Sequence, residues 1–223
     1  MHIEDIGPGD VPVEYKYFPK TTKELKDLIR WRIQNEGNSV NLNDIDVSNI
    51  KTMNSVFART TFNGDISKWD VSNVTDMSNM FNLAYKFNRN ISLWNVSNVK
   101  TMDNMFYCAN EFNQDISVWD VSNVKSMRGM FQFCEQFDCD LSKWNVSNVV
   151  DLSKMFHGSQ SFNGNICSWD VSNAVDMYSM FCGATNFNQD ISKWNVSKCK
   201  YRTSMFDNCP MKNYPDKQPV FKN

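Results

Sequence analysis

Residues 62–86 read FNGDISKWDVSNVTDMSNMFNLAYK, and residues 87–111, FNRNISLWNVSNVKTMDNMFYCANE, repeat almost every distinctive side chain of that stretch. The opening phenylalanine recurs as Phe62, Phe87, Phe112, Phe137, Phe162 and Phe187. Trp69, Trp94, Trp119, Trp144, Trp169 and Trp194 keep the same 25-residue period. Phe81, Phe106, Phe131, Phe156, Phe181 and Phe206 follow Met80, Met105, Met130, Met155, Met180 and Met205. A degenerate copy, VNLNDIDVSNIKTMNSVF, lies upstream with Ile45 at the tryptophan position, and the last copy is worn around residues 198–206. One motif copied along the chain accounts for 13 Met, 16 Phe and 7 Trp beside only 8 Gly.

Within one copy, Ile66, Trp69, Val71 and Val74 fall as L-x-x-L-x-L-x-x-φ, where φ is apolar. The pattern resembles the strand half of a leucine-rich repeat. Alternation through residues 68–72 turns Trp69 and Val71 inward and leaves Lys68, Asp70 and Ser72 outside. Downstream, Val74, Met77, Met80, Phe81 and Ala84 recur at three- and four-residue steps, the period of one face of a short helix. Neither piece is stable alone, so stability must come from stacking on neighbouring copies. The expected fold is an α/β repeat: a right-handed, leucine-rich-repeat-like solenoid with a short parallel β-sheet on one face and short helices on the other.

Around this array the chain divides into an extended segment at 1–20, a capping helix at 21–39, about seven 24–25-residue repeats at 40–206, and an irregular cap or tail at 207–223. Thr21-Thr22-Lys23-Glu24 fits a capping box, Leu25, Leu28, Ile29 and Ile33 mark an apolar face, and Gly37 is a stop signal. This helix would close the open end of the core. Asn63, Asn88, Asn113, Asn163 and Asn188 follow the opening phenylalanine, where stacked amides can satisfy turn backbone. The residue after each tryptophan alternates as Asp70, Asn95, Asp120, Asn145, Asp170 and Asn195. Either interposed amides separate carboxylates that would repel across neighbouring copies, or a 50-residue unit was duplicated; both readings give a ladder.

The repeat resembles the BspA-type leucine-rich-repeat family, whose hallmark is similar to F-N-x-D-[IL]-S-x-W-[DN]-V-S-[NK]-V-x-x-M-x-x-M-F. The resemblance covers about residues 40–206, and PKTTKELKDLIRWRIQNEGNSVNLNDIDVSNIKTM is similar to leaders that precede such repeats. It implies a binding solenoid, common in surface-exposed proteins of bacteria and protists and found in proteins of large DNA viruses. Some members are similar to adhesins that engage host proteins. The family implies no catalytic residues.

Charge and chemistry narrow the function further. With 23 Lys+Arg against 25 Asp+Glu, the chain lacks the basic excess of a nucleic-acid binder. No apolar run is long enough to span a bilayer, and no signal peptide is visible at the start. Cys108, Cys134, Cys139, Cys167, Cys182, Cys199 and Cys209 are odd in number and have no framework spacing, which favours a reducing compartment. Sequons at Asn73, Asn90, Asn95, Asn145 and Asn195 lie within the repeated strand segment, where glycans would block stacking. A cytoplasmic, virion or host-cell interior is the favoured location, with the cell surface as the alternative. His2 and His157 offer almost no material for a Cys-His or Ser-His pair, and there is no phosphate loop or metalloprotease motif. No enzyme activity, cofactor or metal is expected.

The remaining expectation is a noncatalytic module that presents a rigid solenoid face to a protein partner, a host protein being one form of it. A surface adhesin or envelope component is the alternative. The position before each tryptophan runs Lys68, Leu93, Val118, Lys143, Ser168 and Lys193, flanked by the Asp/Asn series. An apolar centre between lysines resembles a small interface with a polar rim. The candidate binding residues are therefore Lys68, Asp70, Leu93, Asn95, Val118, Asp120, Lys143, Asn145, Asp170 and Lys193. A second variable tract carries Tyr85, Tyr107 and Phe133, which suit either contact or packing.

Overall fold

A computed structural model describes residues 13–221; His2 and most of the expected extended segment at 1–20 lie outside them. Helix α1, Thr22–Glu36, begins at Thr21, whose Oγ1 accepts the Glu24 N–H at 3.2 Å. The Glu24 carboxylate accepts from the Lys20 N–H at 2.9 Å, one residue earlier than a reciprocal capping box would place it. Gly37, at φ 93°, stops the helix, and its N–H donates to the Ile33 carbonyl at 2.9 Å. Leu25 and Ile29 enter the core, and the Thr22 hydroxyl donates to the Thr52 carbonyl at 2.7 Å, tying α1 to the first copy. Arg32 is buried beside them and donates to Asp44 at 2.9 Å, to Glu36 and to the Asn41 carbonyl, so its charge is paired.

The repeats pile up in sequence order, but they do not form the expected α/β solenoid. No β-sheet exists among the described residues, and α1 is their one α-helix. The copies meet instead at single parallel bridges joining Thr52, Asp76, Thr101, Ser126, Asp151, Asp176 and Tyr201 in turn. These bridges lie beyond the segment expected to be a strand. Turns on both sides explain their brevity: the Val74 N–H donates to Val71 at 2.9 Å before the bridge, and Met80 donates to Met77 at 3.2 Å after it. The backbone is therefore extended for too short a distance to build a strand.

The tract expected to be a helix is a run of overlapping turns with two left-handed residues in every copy. These are Asn79 and Leu83, Asn104 and Cys108, Gly129 and Phe133, Lys154 and Gly158, and Ser179 and Gly183 among others. A non-glycine residue in that region costs about 1–2 kcal/mol. The compensation is visible in the hydrogen bonds. Met77, Asn79, Phe81 and Leu83 donate to the carbonyls of Thr101, Asp103, Met105 and Tyr107 in the next copy at 3.0, 2.8, 2.8 and 2.7 Å. The N–H groups between them stay inside the copy, as Met80 to Met77 and Ala84 to Phe81. Apolar residues at three- and four-residue steps still fall inward, because successive turns reproduce the spacing of a helical face.

Inside, equivalent side chains stack. Phe57, Phe81, Phe106, Phe131, Phe156, Phe181 and Phe206 form a column with ring centroids 5.4–5.9 Å apart. Phe62, Phe87, Phe112, Phe137, Phe162 and Phe187 form a second, and the two meet at 3.9 Å where Phe81 faces Phe87. The tryptophans stay within the core with their polar atom satisfied: Trp94 Nε1 donates to the Ile66 carbonyl of the previous copy at 3.1 Å, and Trp119 to Ile91 at 3.1 Å. Gly158, at φ 69°, leaves room for the Phe133 ring, which an added Cβ would overlap.

Phe131→Ala, which empties the middle of a fully buried column, should lower unfolding free energy by about 3–5 kcal/mol in a denaturant titration. An unchanged denaturation midpoint would mean that the column does not hold the copies together.

Candidate interaction face

Each copy projects a ridge made of two short turns. In the first, Asp65 Oδ1 accepts the Ser67 N–H at 2.9 Å and the Trp69 N–H donates to the Ile66 carbonyl at 3.2 Å, which pushes Lys68 outward. The second turn begins at the Asp/Asn position. Asp70, Asn95, Asp120, Asn145, Asp170 and Asn195 each accept the N–H of the serine two residues on, at 3.0–3.2 Å. The expected ladder between these residues is thus replaced by a bond within each copy. Aspartate and asparagine alternate freely because both supply the same acceptor oxygen.

The ladder belongs to the next asparagine. Nδ2 of Asn73, Asn98, Asn123, Asn148 and Asn173 donates to the carbonyl of Ser48, Ser72, Ser97, Ser122 and Ser147 in the preceding copy at 2.8–2.9 Å. A second ladder runs from the position after the opening phenylalanine. Asn63, Asn88, Asn113, Asp138 and Asn163 each accept the N–H of the equivalent residue one copy on, at 2.7–3.1 Å. These bonds fix the register of neighbouring ridges, and the amides take the role expected of them at that position.

Every candidate binding residue is exposed. Lys68, Asp70, Asn95, Asp120, Lys143, Asn145, Asp170 and Lys193 point to solvent, with Leu93 at 86% and Val118 at 63% exposure between them. Leu93 and Val118 occupy the same ridge position in adjacent copies. The second variable tract is partly packed: Tyr107 meets Phe133 edge-on at 5.9 Å, and Phe133 meets His157 at 5.0 Å. Burial, and then the Lys154 charge, push the His157 imidazole below its ordinary pKa, which favours the neutral ring. Burial pushes the Cys139 thiol up to about 11, away from the thiolate that a nucleophile needs.

A second exposed apolar group went unread in the sequence. Val150, Tyr178 and Tyr201 are exposed beside the parallel bridges; the Val175 N–H donates to Val150 at 2.8 Å, and Lys154 Nζ lies 5.6 Å from the Tyr178 ring centroid. The available signal was the series Lys100, Lys125, Val150, Val175, Lys200, in which two lysines give way to valine. No helix among the described residues is long and apolar enough to cross a membrane.

Ordered stacking of near-identical copies, with columns of equivalent side chains on the surface, defines a tandem-repeat protein. The chain matches the family described as "Mycoplasma protein of unknown function, DUF285" over residues 26–142 and 125–219, and it belongs to that family. No curated protein and no solved structure matches it.

The ridge turns make stability depend on acid. The hydroxyl and amide of Ser122 hold the Asp120 carboxyl below its ordinary value, and Ser172 and Ser192 do the same for Asp170 and Asp190. A depressed folded-state pKa contributes stability above the unfolded value near 3.8, and this is lost as pH falls through the folded value. The denaturation midpoint should therefore drop between pH 5 and the region below 3.8, and less steeply in Asp120→Asn, which keeps the acceptor but does not titrate. Identical slopes in the two proteins would contradict the assignment.

Proposed function

We propose that this chain is a noncatalytic protein-interaction module whose ridge face, centred on Leu93 and Val118, receives a partner protein. The single observation behind this reading is the pair of aliphatic side chains held side by side in solvent on ridges whose register the asparagine ladder fixes. Lysines at Lys68 and Lys143 bracket the pair, so an apolar centre sits inside a polar, charged rim. Burying such a side chain contributes about 1.5–3 kcal/mol. Because the ridges are tied within and between copies, little backbone freedom remains to be lost on binding. The motif's likeness to BspA-type repeats supports the same reading, since repeats of that pattern are used for binding.

Affinity capture from a native lysate should compare the wild-type chain with Leu93→Asp/Val118→Asp. One specific protein should fall at least tenfold in recovery with the double variant, while near-ultraviolet circular dichroism of the stacked tryptophans stays unchanged. Equal recovery by both chains would remove this face from the function.

A further inference from the structure

Within the turn tract, the four bonds that start at Met77, Asn79, Phe81 and Leu83 and at their equivalents always run from one copy to the next, so the same four donors of the last copy have no following copy to meet. Met177, Ser179, Phe181 and Gly183 donate to the carbonyls of Tyr201, Thr203, Met205 and Asp207 at 2.7, 3.0, 3.0 and 2.7 Å. The equivalent groups in the final copy are the N–H groups of Arg202, Ser204, Phe206 and Asn208. Among the described residues none of them has an acceptor. The final copy is nevertheless formed like the others: Met205 donates to Arg202 at 3.2 Å, Asp207 to Ser204 at 3.3 Å, and Ser204 and Asn208 hold the left-handed conformation at φ 60° and 53°. Phe206 is partly exposed at the end of a column whose other six rings are fully buried.

The chain covers the rest of this end itself. Ile191 N–H donates to the Lys217 carbonyl at 3.0 Å, Lys217 Nζ donates to Asn188 Oδ1 at 2.9 Å, and Met211 is buried. Beside the four donors a groove of about 310 Å³ remains open, lined by Arg202, Ser204, Phe206, Asp207, Lys212 and Phe221, with Lys212 Nζ 3.0 Å from the Asp207 carboxylate. Its surroundings are basic. Residues 198–221 carry Lys198, Lys200, Arg202, Lys212 and Lys217 against Asp207 and Asp216, in a chain whose net charge is −2. At the other end of the stack α1 packs on the first copy through Leu25, Ile29 and the Thr22 bond to Thr52. A second copy of this chain could not lay its first repeat on the free edge without dislodging that helix.

We propose that this edge docks an acidic segment of a partner protein, which coils alongside residues 201–208 through the same turns as an interior copy and supplies alternate main-chain carbonyls to the four N–H groups. The spacing of the donors sets the backbone requirement, since every interior copy meets it with carbonyls two residues apart. The lysines and arginine around the groove set the charge requirement. This edge is separate from the ridges at Leu93 and Val118, so failure at either site leaves the other standing.

The test uses the full chain and two synthetic probes patterned on Thr101–Ala109: the acidic peptide Ac-DMDNMFDNA-NH2 and its basic counterpart Ac-KMKNMFKNA-NH2. Saturating acidic peptide should slow amide hydrogen exchange at Arg202, Ser204, Phe206 and Asn208 at least tenfold and leave Met205 and Asp207 unchanged. Arg202→Pro, which deletes one donor, should weaken binding at least tenfold, and more than Arg202→Ala, which keeps it. Lys200→Glu/Lys212→Glu leaves every N–H in place and should weaken binding at least fivefold, a reading that survives if the proline variant does not fold. Absence of protection at the four amides, equal binding of the basic peptide, or unaltered affinity in the charge variant would overturn the proposal. So would protection of these amides in the free chain together with a concentration-dependent mass, which would assign the edge to a second copy.

Discussion

Between Met77 and Leu83 every second backbone N–H leaves its own copy for a carbonyl of the next, and those between them close turns at home. Much of the rest follows from this division. A buried N–H without a partner costs more than most side-chain contacts return, so a copy that sends four of this tract's seven N–H groups outward is not a stable object alone. Left-handed residues recur because the turns require them, and their conformational cost is tolerable only while the outward donors are met. The phenylalanine columns then fill the space that the hydrogen bonds define, with ring spacings of 5.4–6.4 Å from copy to copy.

The sequence exposes the period, the order of stacking, and which side chains lie inside, because burial of Trp94, Met105 and Phe106 is fixed by hydrophobicity and spacing. It hides what the backbone does between them. Residues 77, 80, 81 and 84 face the core whether the chain is helical or turns through left-handed residues, so periodicity cannot choose. A clue lay in the residues now found at positive φ: Asn79, Asn104 and Gly129 occupy one register position, and Gly158 and Gly183 another. Asparagine and glycine recurring in the middle of a supposed helix favour turns over helix. The strand expectation failed for a related reason. Alternation at Trp69 and Val71 arises from two consecutive serine turns, which also place every second residue outside.

The surface shows the same mixture. Exposure of Leu93, Val118 and the lysines around them was legible from the position before each tryptophan. The Asp/Asn alternation was legible as a pattern and misread as a ladder, because a side-chain oxygen that serves its own copy gives the same sequence signal as one that serves its neighbour. The ladder at Asn98 and Asn123 was hidden by its uniformity, since an asparagine present in every copy but the last, where Lys198 replaces it, looks like part of the motif rather than a bond between copies. Variation marks what the surface can present, and constancy marks what holds it in register.

The most direct measurement is a long-range HNCO experiment on isotopically labelled protein, which detects scalar coupling through a hydrogen bond. Coupling should appear from the Phe106 amide nitrogen to the Met130 carbonyl carbon of the next copy, across the 2.9 Å bond that joins them. Coupling from Phe106 to Met102 within its own copy, as an α-helix would give, would contradict the account.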